Sequence, residues 1–134
     1  MKTLDEIRAY FAMDRYATEA TGLEILEAGD GYAKIGLTLQ DRHKNARGQV
    51  MGAVYFTMAD FAFAVALNTL EGKEGVTLES NIRFLSTPKS DRLYAETNLV
   101  KNGRTVIFYE ITVTDDTGRR LAVITSTGFN VAGR

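Results

Sequence analysis

The feature that most constrains the fold is a long run near the middle of the chain, Val50 to Leu67, in which Asp60 is the only charged residue. Its alanine and methionine content favours a helix. Apolar side chains lie on every side of that helix, so it has to be buried all round. A membrane span is the competing interpretation, but a central carboxylate is costly in lipid and no second apolar run is present to shelter it. We therefore predict a helix enclosed by protein.

The segments on both sides of this helix alternate apolar and polar residues, the pattern of half-buried strands. Residues 23 to 39 alternate in this way around the turn sequence Gly29-Asp30-Gly31. Downstream, Asn102-Gly103 separates two alternating runs and favours a type I′ hairpin. Further strands are predicted over Val76–Phe84 and Leu121–Phe129. A short amphipathic helix precedes them all, with Thr3 as its N-cap.

The predicted order is a short helix, two strands, the long helix and four strands in a mostly antiparallel meander. Such a sheet must curl around the long helix to bury it, which is an α+β architecture. One sheet covers only part of the helix, and the remaining apolar face suggests a dimer. The length fits one compact domain, so we expect residues 1–134 to form a single domain.

Composition excludes several classes of function. The formal net charge of −1 offers no field that would hold nucleic acid or an anionic membrane. The chain has no cysteine and one histidine, so we expect no disulfide, no metal site and no cofactor. The first residues are partly acidic and lack the apolar core of a signal peptide, which makes the cytoplasm the expected location.

Asp60 is the first candidate for chemistry. An ionised carboxylate two turns inside an apolar helix must be paired, protonated or placed on a polar cavity. Isolated carboxylates in such surroundings are often active-site groups. The structural alternative is an aspartate that bonds to a neighbouring loop or bridges a dimer interface. We interpret Asp60 as catalytic.

Two residues upstream are further candidates. Gly52 lies near the start of the long helix, where backbone N–H groups lack partners and the helix dipole is positive. Such a site can hold the oxyanion that develops during acyl transfer, although glycine here also permits tight packing. Asn45, in the polar loop before it, can orient water or substrate, or simply form a turn. We expect His43 of the same loop to be solvated.

Motifs around these candidates resemble a known family. The run Asn45-Ala46-Arg47-Gly48-Gln49-Val50-Met51-Gly52-Ala53, with Met58-Ala59-Asp60 after it, resembles the signature of PaaI-type hotdog thioesterases. In that family an Asn precedes a His-Gly-Gly triplet and a Leu-Ala-Asp follows in the helix, at matching spacings. Residues 81–88 resemble the family's strand with a Phe-Leu-x-Pro pattern, with one extra residue before Pro88. The resemblance covers most of the chain and implies a hotdog fold, an antiparallel sheet wrapped around a long central helix.

The resemblance also implies an activity and a set of roles. The family hydrolyses acyl-CoA thioesters, with Asp60 as nucleophile or general base and the Gly52 N–H polarising the thioester carbonyl. Asn45 would position water or substrate. The family builds each site across a dimer interface, so Asp60 of one subunit would face Gly52 and Asn45 of the other. A homodimer, in some arrangements a dimer of dimers, is therefore expected.

Four more residues are predicted to contact substrate. Thr77 falls where relatives carry a hydroxyl that orients the attacking water, and Phe84 lies in the strand that resembles the family's. Arg104 is similar to a basic residue that contacts coenzyme A phosphate, although a solvated hairpin charge has the same appearance. Met51 helps to form an adaptable apolar pocket that suits an aromatic or a short- to medium-chain acyl group.

One departure keeps an alternative open. The family histidine is Met51 here, and the second glycine of the triplet is Ala53. A non-catalytic hotdog protein that binds acyl-CoA as a sensor or carrier is the alternative function. A hotdog dehydratase would need a catalytic histidine, and His43 lacks the expected surroundings. A purely structural dimer module would leave the buried Asp60 without chemistry.

Overall fold

The computed structural model describes residues 2–132 and shows one six-stranded antiparallel sheet packed against a long helix. A one-turn π-helix follows the first α-helix, and a short 3-10 turn precedes the second. The elements are α1 (Leu4–Phe11), the π-helical turn (Tyr16–Thr21), β1 (Glu24–Gly29), β2 (Tyr32–Thr38), the 3-10 turn (Asp41–His43), α2 (Gly52–Asn68), β3 (Gly75–Phe84), β4 (Arg92–Asn102), β5 (Val106–Asp115) and β6 (Arg120–Asn130).

The first helix begins with the predicted cap. The Thr3 hydroxyl accepts from the Glu6 N–H at 3.2 Å, and the Thr3 N–H donates to the Glu6 carboxylate at 3.2 Å. This reciprocal pair satisfies two N–H groups that a helix start leaves without partners. Ile7 and Phe11 are buried, so one face of α1 packs on the core.

The predicted central helix is confirmed as α2. The sheet buries the side that carries Met58, Ala62 and Val65, each with no exposed surface. Met51 and Phe56 remain exposed, so a single sheet leaves one side of the helix uncovered, as expected. No helix among residues 2–132 is long and apolar enough to cross a membrane.

The strand order is β1-β2-β4-β5-β6-β3, which corrects the predicted meander. The strand that follows α2 does not pair with β4 but lies at the far edge, beside β6, while β2 pairs with β4. The reason is geometric. A helix of 17 residues is about 25 Å long, so it carries the chain across the sheet before β3 begins.

The predicted alternation of β3 does not produce a buried face. Val76 is 49%, Leu78 59% and Phe84 57% exposed, although alternation is the pattern of a half-buried strand. In the single chain β3 is an edge strand, and neither of its faces is fully covered. An edge strand also presents unpaired backbone groups, which makes it a natural surface for another strand.

The type I′ turn occurs at a different hairpin from the one predicted. Asp30 and Gly31, between β1 and β2, both have positive φ, at 52° and 80°. Neither Asn102 nor Gly103 does, and three residues link β4 to β5 instead of two. Glycine is needed at position 103 because a β-carbon there would overlap the Val106 carbonyl oxygen.

The expectation of a solvated His43 is wrong. The residue is only 4% exposed, and its Nδ1 accepts from the Gln40 N–H at 2.9 Å. Its Nε2 lies 2.7 Å from the Thr21 carbonyl oxygen and donates to it. The bond with Gln40 lies within the loop that precedes α2, and the bond with Thr21 fastens that loop to the π-helical turn. His43 therefore organises the loop and is unavailable as a base.

Candidate active site

Asp60 lies on the side of α2 that the sheet leaves open, between two small cavities. The first, of about 280 Å³, is enclosed by α2 and the segment after α1; its other lining residues are Asp14, Arg15, Tyr16, Ala17, Thr57, Phe61 and Ala64. The second, of about 240 Å³, is enclosed by α2, α1 and the start of β3; its other lining residues are Tyr10, Phe11, Phe63, Ala64, Leu67, Asn68, Glu74, Gly75 and Thr77. The carboxylate therefore faces space on both sides.

The surroundings make Asp60 a stronger base than an ordinary aspartate. Burial of the carboxyl group raises its pKa, and the negative charge of Asp14 raises the pKa further. A hydrogen bond with the Thr77 hydroxyl acts in the opposite direction. The residue as a whole is still solvent-accessible in the single chain, so a water molecule or a substrate can reach the carboxylate. A basic, accessible carboxylate suits general-base catalysis.

Thr77 is placed beside Asp60 by the strand that crosses to the far edge. Both residues line the second cavity. The register between β3 and β6 shifts between Thr77 and Glu79, so the strand is irregular at this point. The structure thus brings together the carboxylate and the hydroxyl that the sequence singled out.

Gly52 lies at the other end of the exposed helix side, where α2 begins. Met51 precedes it in an extended conformation, 55% exposed, and its side chain does not cap the helix. Within the described part of the chain the Gly52 N–H donates to no acceptor. A cavity of about 400 Å³ opens beside it, between Val50, Tyr55 and the Phe84 to Thr87 segment. Phe84 therefore lies next to the candidate oxyanion site.

Asn45 forms a turn in the exposed loop before α2. Its side-chain oxygen accepts from the Arg47 N–H at 2.9 Å and from the Gln49 N–H at 3.2 Å. Its own N–H donates to the Gln49 carbonyl at 2.7 Å. Among the described residues the side-chain nitrogen Nδ2 of Asn45 has no acceptor, so only the N–H groups of the side chain remain for a substrate or water.

The candidates fall into two separate groups in one chain. Asp60 is eight residues after Gly52 on the same helix, and eight residues rise about 12 Å. One group contains Asp60 and Thr77, and the other contains Asn45, Met51, Gly52 and Phe84. Arg104 lies on the β4–β5 loop, where its carbonyl accepts from Asn130 at 3.3 Å; it lines neither cavity beside Asp60.

The sequence reasoning missed the segment after α1. Asp14 and Tyr16 line the first cavity beside Asp60, and Tyr10 lines the second. A signal was present in the sequence, because three large side chains lie close together there, Tyr10, Met13 and Tyr16, and all three are exposed. Among residues 2–132 no three acidic or histidine side chains converge as a metal site would require.

Comparison with known proteins defines the class. Residues 47–122, more than half of the chain, match the thioesterase superfamily, and the chain belongs to that family. It is a thioester hydrolase with the PaaI-type hotdog fold, which confirms the expected fold and enzyme class.

Three relatives illustrate the similarity. An Archaeoglobus fulgidus protein named as an esterase is 27% identical over 129 residues, which is 96% of this chain and 83% of the relative. The acyl-coenzyme A thioesterase PaaI of Escherichia coli is 25% identical over 116 residues, 86% of this chain and 82% of that protein. A hypothetical thioesterase of Streptococcus pneumoniae, solved with coenzyme A, superimposes with a TM-score of 0.83 at 26% identity and covers 92% of this chain and 98% of its own.

Proposed function

We propose that the enzyme hydrolyses the thioester of an aromatic or a short- to medium-chain acyl-CoA to the free acid and coenzyme A. The observation that carries the proposal is the position of Asp60, an accessible carboxylate with a raised pKa between two small cavities. Relatives named as an acyl-CoA thioesterase and a neighbour solved with coenzyme A support this substrate class. Lining residues such as Phe11, Phe61 and Phe63 suit an apolar acyl group.

In the proposed reaction Asp60 takes a proton from water, and the resulting hydroxide attacks the thioester carbonyl carbon. The Gly52 N–H donates to the oxyanion that forms. Collapse of the tetrahedral intermediate breaks the carbon–sulfur bond, and the departing thiolate takes up the proton from Asp60. The same carboxylate serves the alternative route, in which Asp60 itself attacks the carbonyl and water then hydrolyses the mixed anhydride. If water attacks the Asp60 carboxyl carbon of that anhydride, a single turnover in ¹⁸O-water leaves ¹⁸O in Asp60, which the general-base route cannot do.

A homodimer is part of the proposal because one chain separates the reacting groups. A nucleophile and an oxyanion donor must both lie about 3 Å from the reacting atoms. Asp60 and Gly52 of one chain are about 12 Å apart along the helix, so they cannot serve one thioester together. Two-fold pairing through the exposed β3 edge would bring Asp60 of one subunit toward Gly52 and Asn45 of the other. Sedimentation velocity distinguishes a monomer from a dimer and from a dimer of dimers.

The alternative function, an acyl-CoA-binding protein without turnover, is favoured by Met51 alone. It replaces the histidine of the motif and stands exposed at the start of α2. Its thioether cannot donate a hydrogen bond to a carbonyl. The Gly52 N–H and the Asp60 carboxylate do not depend on that side chain, so we keep hydrolysis as the proposed function. Because acyl-CoA is an intracellular substrate class, the cytoplasm is the proposed location.

The direct test is thiol release from a panel of acyl-CoAs, from acetyl to long-chain and including phenylacetyl and benzoyl. We expect turnover by the natural chain and a loss of about 10² to 10⁴-fold in Asp60→Asn, which keeps the shape but not the basicity. Asp5→Asn, an exposed change of the same charge on α1, is the matched control and keeps full activity. Saturable binding without turnover would instead establish the acyl-CoA-binding protein. Full activity of Asp60→Asn would remove that residue from the mechanism.

A hybrid dimer tests the shared site. Gly52→Pro removes the N–H at a helix start where the backbone tolerates proline, and the extended Met51 is compatible with a following proline. A β-carbon at position 52 lies 3.0 Å from the ring of the exposed Phe84 side chain, which has to shift. We expect Asp60→Asn and Gly52→Pro homodimers to be nearly inactive. Randomly mixed subunits should recover about a quarter of the wild-type sites, because half the dimers are hybrids and each hybrid holds one intact site. No recovery in hybrids that have been isolated by two affinity tags would contradict the shared site.

A further inference from the structure

The segment Tyr10–Ala17 borders Asp60 on both sides. Tyr10 and Phe11 line one cavity beside the carboxylate, and Asp14 to Ala17 line the other. We use the term N-terminal wall for this segment. It spans the end of α1 and the start of the π-helical turn. The π-helical turn packs against α2, and α1 contacts α2 through Phe11 and Phe61.

The N-terminal wall is held firmly in place. The Asp14 N–H donates to the Phe11 carbonyl at 3.0 Å, and the Asp14 carbonyl accepts from the Thr18 N–H at 2.9 Å. The Phe11 ring meets the Phe61 ring edge to face at 5.8 Å, which anchors the wall on α2. Backbone groups make these bonds at Asp14, so its carboxylate is left free to act on the cavity.

The charges around the two cavities are mainly negative. Asp14 and Glu74 each contribute a carboxylate, in addition to Asp60. Arg15 is the one cationic lining residue, and it pairs with Glu19 at 3.5 Å. No basic side chain among residues 2–132 forms an ion pair with Asp14. An acyl group that enters here therefore meets aromatic rings and uncompensated negative charge.

We propose that the N-terminal wall selects the acyl group and that Asp14 excludes acyl-CoAs whose acyl chain ends in a carboxylate. This inference rests on the proposed function and names its substrate class more closely as neutral acyl-CoAs. A terminal carboxylate beside Asp14 suffers like-charge repulsion. At physiological salt, we expect one such charge to change relative kcat/KM by about tenfold.

Butyryl-CoA and succinyl-CoA are the appropriate probes, because their acyl groups have the same four-carbon length and differ by the terminal carboxylate. Wild-type enzyme should prefer butyryl-CoA. In Asp14→Asn the ratio of kcat/KM for succinyl-CoA over butyryl-CoA should rise about tenfold. Asp5→Asn, on α1 and outside both cavities, removes the same charge and should leave the ratio unchanged. An unchanged ratio in Asp14→Asn would overturn the inference.

A pH profile provides a readout that a purely structural role for Asp14 would not move. The Asp14 charge raises the pKa of Asp60, so its removal lowers that pKa. The acid limb of kcat/KM for butyryl-CoA should therefore shift to lower pH in Asp14→Asn and stay in place in Asp5→Asn. Glu74 and Arg15 also line the cavities, and Arg15 pairs with Glu19, but neither the control nor the test variant alters these groups. A limb that stays in place in Asp14→Asn would overturn the inference.

The two proposals fail in distinguishable ways. If turnover depends on Asp60 but the ratio of kcat/KM for succinyl-CoA over butyryl-CoA is the same in Asp14→Asn and wild type, this inference is wrong and the proposed function is unaffected. If no thioester is turned over, calorimetry measures the affinity for succinyl-CoA and for butyryl-CoA, and the ratio of the two affinities replaces the ratio of kcat/KM. A ratio that rises in Asp14→Asn supports the N-terminal wall without catalysis. A ratio that does not rise, or the absence of binding to both, overturns it.

Discussion

Replacement of Asp115 by alanine should strongly destabilise the protein, because this buried carboxylate organises the turn between β5 and β6. The residue is 2% exposed, and its oxygens accept from the N–H groups of Lys89 at 2.7 Å, Thr117 at 2.9 Å and Arg119 at 3.2 Å, and from the Thr117 hydroxyl. The bond from Lys89 ties the β3–β4 connection to the β5–β6 turn. That connection follows Phe84, so Asp115 also supports the wall of the cavity beside Gly52.

The expected loss follows from those bonds. Hydrogen bonds to a charged acceptor contribute more than neutral ones, and alanine leaves three backbone donors without their partner. Since the contributions are not additive and water reaches part of the turn, we expect a loss of about 3 kcal/mol. For a chain of this length that corresponds to a decrease of about 10 °C in Tm. Asp116→Ala, at an exposed neighbour with one bond from the Tyr94 hydroxyl, is the matched control and should lose less than about 1 kcal/mol.

The pH dependence offers a second check. Burial alone would raise the pKa of Asp115, but the hydrogen bonds from Thr117, Lys89 and Arg119 outweigh it and lower the pKa to about 2. The folded state therefore holds the ionised form more strongly than the unfolded state, and this stabilisation is complete above the usual value of 3.8. It is lost as the pH falls from there toward about 2. Urea melts of wild type and Asp115→Ala should converge over that range; a gap that is small at pH 7, or that does not narrow in acid, would refute the reasoning.

Two further changes test other parts of the structure. Thr77→Val removes the hydrogen bond that lowers the pKa of Asp60, so the acid limb of kcat/KM should move to higher pH, opposite to Asp14→Asn. Thr125→Val, at an exposed residue, is its control. If the acid limb does not move to higher pH in Thr77→Val, the hydrogen bond between Thr77 and Asp60 is absent from the active enzyme. Gly103→Ala places a β-carbon against the Val106 carbonyl oxygen and should cost about 1 to 3 kcal/mol in urea melts. Gly29→Ala meets open space and should be nearly neutral; equal stability of both variants would show that the close approach at Gly103 is relaxed.

Much of the candidate site was visible in the sequence because its residues belong to one local element. Asp60 stood out as a single charge in an apolar run, and Gly52 and Asn45 lay at motif spacing before it. The pairing of Thr77 with Asp60 was anticipated only through the family resemblance. Asp14 was invisible, because nothing local links a residue after α1 to the middle of α2. The buried role of His43 was missed for the same reason, since its partner at Thr21 is distant in the chain.

The sequence by itself determined the two helices, the capping box at Thr3 and the alternating strands, because propensity, capping and periodicity act over a few residues. It also determined that a carboxylate would lie within the long helix. Only the tertiary structure decided that β3 lies beside β6 rather than β4, and that the N-terminal wall borders the space around Asp60. Strand order and cavity walls depend on contacts between distant residues. Those contacts arise where α2 crosses the sheet and cannot be read from local sequence.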